Sequence, residues 1–199
     1  TLMLKPDFNA DCAPMLTLVM ALAVAKGIRQ TLRRDSREAA AKVGIKWPND
    51  IVVDGKKVCG ILTEMSMEQG YIHHIVIGVG INVRRQEFSE EIRERAAAID
   101  EQCGFCISRS QLIADIMEAF EEDYEIFLQT HDLKGLRKAY EKLLVNRDRE
   151  VCVLDPRGEY RGIARGINDQ GELIVERQDG TVEEVYAGEV SVRGIYGYV

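Results

Sequence analysis

The hydrophobic period changes once along this chain, between Asn146 and Arg149, and that change limits the fold more than any other feature. Before it, apolar residues recur at helical spacing or in long β-branched runs. After it come five short β-type stretches: Val151–Leu154, Tyr160–Gly166, Glu172–Arg177, Thr181–Tyr186 and Val190–Val192. Turn sequences Asp155-Pro-Arg-Gly158, Asn168-Asp-Gln-Gly171 and Gln178-Asp-Gly180 separate the first four, the even spacing of a small β-barrel. The chain therefore reads as α+β, with a mixed sheet covered by helices over residues 1–146 and a small barrel over 147–199, joined without a flexible linker. At 199 residues and 46% hydrophobic, it can bury a sizeable core.

Within the first region, Leu2–Leu4 reads as a strand, and Asp11 and Pro14 lead into an apolar helix from Met15 to Leu32. Gly44–Trp47 reads as a strand. Ile51–Val53 and Val58–Thr63 flank Asp54-Gly55, a strong hairpin signal, and Tyr71–Val83 is a long strand broken by Gly78 and Gly80. Helical patterns follow over Ser89–Ile99, then from the capping box Ser108-Arg-Ser-Gln111 through Leu128, then over Leu133–Leu144. These helices are expected to cover the sheet.

Charge and composition exclude several functions. Acidic residues outnumber basic by 33 to 26, a net charge of -7, so the basic footprint of a nucleic-acid binder is missing. The longest apolar run, Leu18–Ala25, is far short of the ~20 residues that cross a bilayer, and no basic start plus cleavage site marks a secretory signal in these residues. Five scattered cysteines fit a reducing compartment, so a cytoplasmic location is expected. The opening Thr-Leu-Met-Leu has no initiating methionine and reads as cut from a longer chain.

Several motifs have bland readings. Gly78-Val-Gly80-Ile-Asn-Val83 has Val83 where a dinucleotide fingerprint needs its third glycine, and spacing alone favours a bulge over a ligand floor. Cys103-Gly-Phe-Cys106 has no second ligand pair to complete a metal site, and two incidental loop cysteines fit better. His73 and His74, adjacent on a strand, should point to opposite faces and cannot share a metal. No metal-ligand cluster emerges. Lys46-Trp-Pro-Asn-Asp50 fixes a lysine at a strand end, where it serves equally well as a functional cation or in a structural pair with Asp50 or Glu64.

Taken together, Lys46-Trp-Pro-Asn-Asp50, Lys57-Val-Cys-Gly-Ile-Leu-Thr-Glu64 and Ile77-Gly-Val-Gly-Ile-Asn-Val83 resemble, in order and spacing, the catalytic domain of biotin protein ligases. That family includes the bacterial biotin operon repressor. Arg165-Gly-Ile-Asn-Asp-Gln-Gly171 and Gly188-Glu-Val-Ser-Val-Arg193 resemble its SH3-like C-terminal domain. The resemblance implies a class II aminoacyl-tRNA synthetase-like catalytic fold. It also implies ATP-dependent activation of biotin to biotinyl-5'-AMP, with transfer to a lysine of a biotin carboxyl carrier protein. Lys46 then matches the central catalytic lysine, a fixed cation that neutralises charge on the phosphoryl oxygens with magnesium. Ile51, Gly78 and Gly80 match the biotin pocket, which turns the glycines from bulge towards ligand floor. Asn82 and Lys57 match the ATP side, and Glu189 and Arg193 match residues of nucleotide use or carrier docking.

The resemblance also implies a homodimer through sheet edges, with no membrane or nucleic acid bound by these residues. A lipoate ligase and a non-catalytic module that senses biotinyl-AMP or docks a carrier stay open as alternatives. Family members carry a Ser-Thr-Asn-type motif and a glycine- and arginine-rich loop ahead of the opening strand. These 199 residues alone are therefore expected to bind biotin weakly and to be inactive, an expectation that biotinyl-AMP synthesis by them would overturn.

Overall fold

The computed structural model describes residues 1–155, 158–186 and 191–194. In chain order the first part contains β1 (Leu2–Leu4), α1 (Met15–Arg33), α2 (Arg37–Ala41), β2 (Val43–Lys46), β3 (Asp50–Val53), β4 (Lys56–Glu68) and β5 (Tyr71–Ile81). It continues with α3 (Glu90–Arg93), α4 (Ile99–Cys103), α5 (Arg109–Thr130) and α6 (Arg137–Glu141). The second part holds β6 (Arg149–Asp155), β7 (Gly158–Ile167), β8 (Leu173–Glu176), β9 (Val182–Val185) and β10 (Ser191–Gly194).

Tight turns decide the first sheet. Asp54 and Gly55 both take positive φ, the geometry that matches the twist of a two-residue hairpin, and Gln69-Gly70 does the same between β4 and β5. Successive hairpins make β2 to β5 a meander, and β1 pairs antiparallel on the far side of β5, giving the order β1-β5-β4-β3-β2. Every strand pairing in it is antiparallel, which corrects the expected mixed sheet: no helix connects two neighbouring strands, so no parallel crossover arises.

The apolar character of α1 follows from its position. It has the length and hydropathy of a membrane span, but the sheet covers one side and α5 the other, so Leu16, Val19, Leu22, Ala23 and Ile28 are fully buried. The helices do not all cover the sheet as expected; α5 packs on α1 and forms a third layer. Two buried aspartates on α5 fix that contact. Asp115 accepts hydrogen bonds from Thr31 Oγ1 (2.6 Å), Arg34 Nη2 (2.9 Å) and Gln111 Nε2 (3.0 Å). Burial pushes its carboxyl up, but these donors outweigh it and hold the group at about 2. Asp123 pairs with Lys26, and there burial wins and leaves the carboxyl raised.

The second sheet has the order β10-β6-β7-β8-β9, all antiparallel. Among the described residues it is open, which corrects the expected barrel. Its apolar face is covered by the first part instead of by itself: Val151, Val153, Ala164, Leu173 and Val175 belong to the same buried cluster as α1. Polar contacts tie the two parts together. Trp47 Nε1 donates to the carbonyl of Gly171 (2.9 Å) and Leu133 N to the carbonyl of Asp169 (2.8 Å), while Trp47 N donates to Asn146 Oδ1 (2.9 Å) at the end of the first part.

Gly27 is where α1 and α5 approach most demandingly. A Cβ there would lie 2.5 Å from Ile116 Cγ1 and 2.7 Å from Ile116 Cα. Alanine normally stabilises an interior helical glycine position by about 1 kcal/mol. At Gly27 the sign should reverse, with Gly27→Ala costing about 1–3 kcal/mol through overpacking. A denaturant midpoint equal to or above the parent's would disprove the close approach.

Candidate active site

Antiparallel register lines up one residue from each of four strands on the sheet face turned away from α1. Lys46 lies opposite Asp50, Asp50 opposite Gly60, and Gly60 opposite Gly80. Directly opposed residues share a face, so this row runs from two charged side chains onto two residues with none. One row further along, Leu62 lies opposite Gly78. The alternate residues Ile45, Ile51, Cys59, Ile61 and Ile77 fall on the other face and join the core.

The glycines leave bare backbone. A Cβ at Gly80 would meet only the carbonyl of Gly60, at 3.8 Å, and one at Gly78 only the carbonyl of Leu62, at 3.6 Å. Neighbouring side chains therefore do not demand glycine here. Register across Gly78 and Gly80 is unbroken, which corrects the bulge that spacing favoured. The bulge lies instead at His73, and it swings His73 and His74 into contact, Nδ1 to Nδ1 at 2.8 Å, where strict alternation had placed them on opposite faces. Among the described residues no group of three potential metal ligands forms.

Lys57 projects over this strip. A register step after Ile51 leaves Val58 extra on β4, and Lys57 Nζ reaches Asp50 Oδ1 at 2.5 Å. The lysine is partly exposed and its partner nearly buried, so Asp50 holds the ammonium at the strip without removing it from solvent. A Cβ on Gly60 would sit 3.2 Å from both Lys57 Cε and Nζ, so this glycine makes room for the lysine. Cys59, directly beneath, is an inert thiol: burial, with Asp50 nearby, pushes it up to about 12.

A cavity of about 680 Å³ opens over these groups, lined by Lys57, Gly60, Gly80, Asn82, Phe88 and Ile92, among others. Its cover is segment 84–98, stitched to the sheet by backbone. Lys57 N donates to the carbonyl of Arg95 (2.7 Å), Ala97 N to that of Lys57 (2.9 Å), Ile99 N to that of Asn82 (2.8 Å) and Asp100 N to that of Val83 (3.0 Å). Gln86 Nε2 donates to Asn82 Oδ1 (3.0 Å), and Arg84 pairs with Asp100 (2.5 Å). The result is two cations, Lys57 and Arg95, a flat glycine floor, an amide oxygen and two apolar cover residues around one space. Such a space can hold an anion at one side and a planar or ring-shaped group at the other.

The structure brings together Lys57, Gly80 and Asn82 of the expected site around the cavity, while Gly78 lies on the same face one row further along, outside its lining. Lys46 is in the same row but buried beside Asp50, at 8% exposure, and does not line the cavity. Ile51 is fully buried on the α1 face, beneath the floor. Arg193 lies on β10 opposite Cys152, in the second sheet, and Glu189 is outside the described residues. Sequence reasoning missed Asp50 as the partner of Lys57, Gly60, and the cover residues Phe88 and Ile92. Folding Val58–Thr63 against Tyr71–Val83 about Gln69-Gly70 would have exposed the Gly60–Gly80 pair.

Comparison with known proteins places this arrangement. Residues 1–82 match the biotin/lipoate A/B protein ligase family, and residues 148–193 match the biotin protein ligase C-terminal domain. The bifunctional ligase/repressor BirA of Bacillus spizizenii is 34% identical over 196 residues, covering 96% of this chain and 57% of that protein. A biotin–acetyl-CoA-carboxylase ligase of Paracoccus denitrificans is 27% identical over 195 residues, covering 94% of this chain and 79% of that protein. The Aquifex aeolicus biotin protein ligase in complex with biotin and ATP superposes with a TM-score of 0.78 at 27% identity, covering 97% of this chain and 76% of that one. This chain spans 57% of the length of the BirA relatives from Bacillus.

Proposed function

We propose, because this chain belongs to the biotin protein ligase family, that its cavity holds biotin and ATP. There the protein joins them to biotinyl-5'-AMP with release of pyrophosphate and then passes biotin to a lysine of a biotin carboxyl carrier protein. One observation carries this reading: Lys57, fixed by Asp50, stands at a floor made of Gly60 and Gly80 inside a covered cavity, with Gly78 extending the bare strip beyond it. Biotin's fused rings can lie flat on bare backbone, and its carboxylate can then reach the lysine.

The chemistry needs such a cation. A carboxylate oxygen must attack the α-phosphorus, two negatively charged groups must approach, and charge grows on the phosphoryl oxygens. A preorganised ammonium, held in place before the anions meet, offsets both. We assign this role to Lys57 because it faces the cavity, and give Lys46 a supporting place in the buried row next to Asp50. Ile51 supports the floor from below. Asn82 and the cover residues Phe88 and Ile92 serve the nucleotide, and the cover keeps water from the mixed anhydride. Magnesium would reach the site on the nucleotide's phosphates, since among the cavity's lining residues the one side-chain oxygen is that of Asn82. Its chemistry would be charge neutralisation at those phosphates.

Biotin is preferred over lipoate because the second sheet matches the biotin ligase C-terminal domain, not only the domain shared with lipoate enzymes. That match starts at residue 148, next to the expected boundary at 146/147 and the start of β6. Roles for Arg193 and Glu189 at the nucleotide or the carrier belong to the same proposal.

In the full-length protein, Lys57→Ala should lower biotinyl-AMP formation about 10²–10³-fold, more than Lys46→Ala does. Gly80→Val should melt like the parent, since its side chain points into open space, yet lose biotin binding in calorimetry. A Lys57→Ala enzyme of normal rate would move the catalytic role elsewhere. A Gly80→Val protein that binds biotin normally would remove the floor from the site.

Partners follow from the sheet edge. β3 ends at its pairing with Gly60, and β4 runs on with Leu62, Met65 and Met67 exposed. Residues 62–68 thus present an apolar edge to which a second copy or the carrier can add a strand. Met65→Lys should weaken self-association in sedimentation, or raise KM for the carrier, while KM for biotin stays unchanged. If neither moves, this edge is no docking surface.

A further inference from the structure

Cys103 and Cys106 lie outside the cavity chemistry but at its mechanical anchor. Asp100 is the hub of that anchor. Its backbone N–H holds the carbonyl of Val83, its carboxylate pairs with Arg84 at the start of the cover, and its Oδ1 accepts from Ile107 N at 3.2 Å. Helix α4 ends on the same residue, through Gly104 in the left-handed region with φ 80°, whose N–H donates to the carbonyl of Asp100 at 3.0 Å. Gly104 lets the chain double back directly after Cys103.

Doubling back lays the Cys103 thiol against the peptide group that leads into Cys106. Cys103 Sγ lies over the turn, 3.2 Å from the carbonyl oxygen of Phe105 and 3.9 Å from that of Asp100. Cys106 is exposed and Cys103 only partly so, and the turn at Gly104 separates them by three residues. An exposed thiol with a second thiol three residues away across one tight turn is the setting of an oxidisable pair. Burial raises the Cys103 thiol, which suits the partner that reacts second. Cys59 is a built-in contrast, buried and unreactive.

We propose that Cys103 and Cys106 form a thiol-modification site, oxidised by a low-molecular-weight disulfide to a Cys103–Cys106 disulfide that clamps the anchor of segment 84–98. The steps balance. The Cys106 thiolate attacks one sulfur of the external disulfide and expels one small thiolate, leaving a mixed disulfide. Cys103 then loses its proton to solvent and attacks the Cys106 sulfur, expelling the second thiolate. Two protein thiols are oxidised, and one external disulfide is reduced to two thiols. In the closed form, the α4 end can no longer unwind from Asp100, so the cover opens less often. This inference does not depend on which small molecule the cavity takes.

The test uses full-length protein equilibrated with mixtures of reduced and oxidised glutathione near neutral pH, acid-quenched, alkylated and mapped by mass spectrometry. The wild type should show the Cys103–Cys106 disulfide with Cys59 unmodified. Cys103→Ser should stop at a glutathione adduct on Cys106, and Cys106→Ser should leave Cys103 reacting at least about tenfold more slowly. Hydrogen exchange should slow in segment 84–98 of the oxidised wild type and stay unchanged in either serine variant. Overturning results are a Cys106 that stays free in both wild type and Cys103→Ser, or a disulfide that forms as readily in urea. Melting curves of the variants, with hydroxyl replacing thiol at nearly the same volume, separate either outcome from misfolding.

Discussion

The register between β4 and β5 is the constraint on which the site depends. Because Gly60 meets Gly80 and Leu62 meets Gly78, two bare patches of backbone fall side by side on the face away from α1. A slip of one residue would turn the glycines into the core and push Ile61, Ile77 and Val79 towards solvent. The apolar alternation that anchors the sheet to α1 therefore also fixes the floor. The same register brings Asp50 opposite Gly60, where the missing Cβ leaves space for Lys57. Packing on one side of the sheet and chemistry on the other come from a single choice of pairing.

That choice needs a rigid backing, and α1 supplies it. The first half of this helix, residues 15–25, has almost no solvent face to set its rotation, so much of its orientation has to come from elsewhere. Gly27 against Ile116 sets how closely α5 approaches, while Lys26, Thr31 and Arg34 reach the buried aspartates of α5. Asp115 is held well ionised by several donors, whereas Asp123 has one lysine partner and a desolvation cost that wins. The polar clamp is thus uneven along the helix pair: strongest at Asp115, near the N-terminal end of α5, and weaker at Asp123.

Much of this was legible in the residues. The Asp54-Gly55 turn, the buried α1, the Ser108 cap that accepts from Gln111 N and the strands of both sheets appear where pattern and turn chemistry put them. Misreadings share one cause, backbone claimed by distant partners. A single helix was expected over Ser89–Ile99, but Arg95 and Ala97 bond to Lys57, and Ile99 to Asn82, so only α3 forms within it and α4 begins at Ile99. Likewise Leu133 bonds to Asp169, and Leu143 and Val145 bond to Ile45, so a helical pattern from Leu133 to Leu144 shrinks to α6. Side-chain periodicity marks which residues are buried, not which carbonyl each N–H will find. The lysine facing the cavity was unreadable for a related reason. Lys46 and Lys57 both stand beside Asp50, and only the extra residue Val58 decides which one reaches the space above the glycines.

The electrostatics of such a site run against the protein's own charge. With a net charge of -7, these 199 residues taken together repel an anionic ligand. At physiological ionic strength that field fades within about 8 Å, so what a ligand feels on arrival is the local arrangement. Lys57 and Arg95 both line the cavity, and Arg84 stands at the root of its cover. Asp50 and Asp100 balance Lys57 and Arg84 and hold them in place, so the ammonium at the glycine floor is available without being mobile. A fixed cation that has already given up its rotational freedom loses little more when an anion arrives, which is why a modest number of charges suffices in an acidic chain.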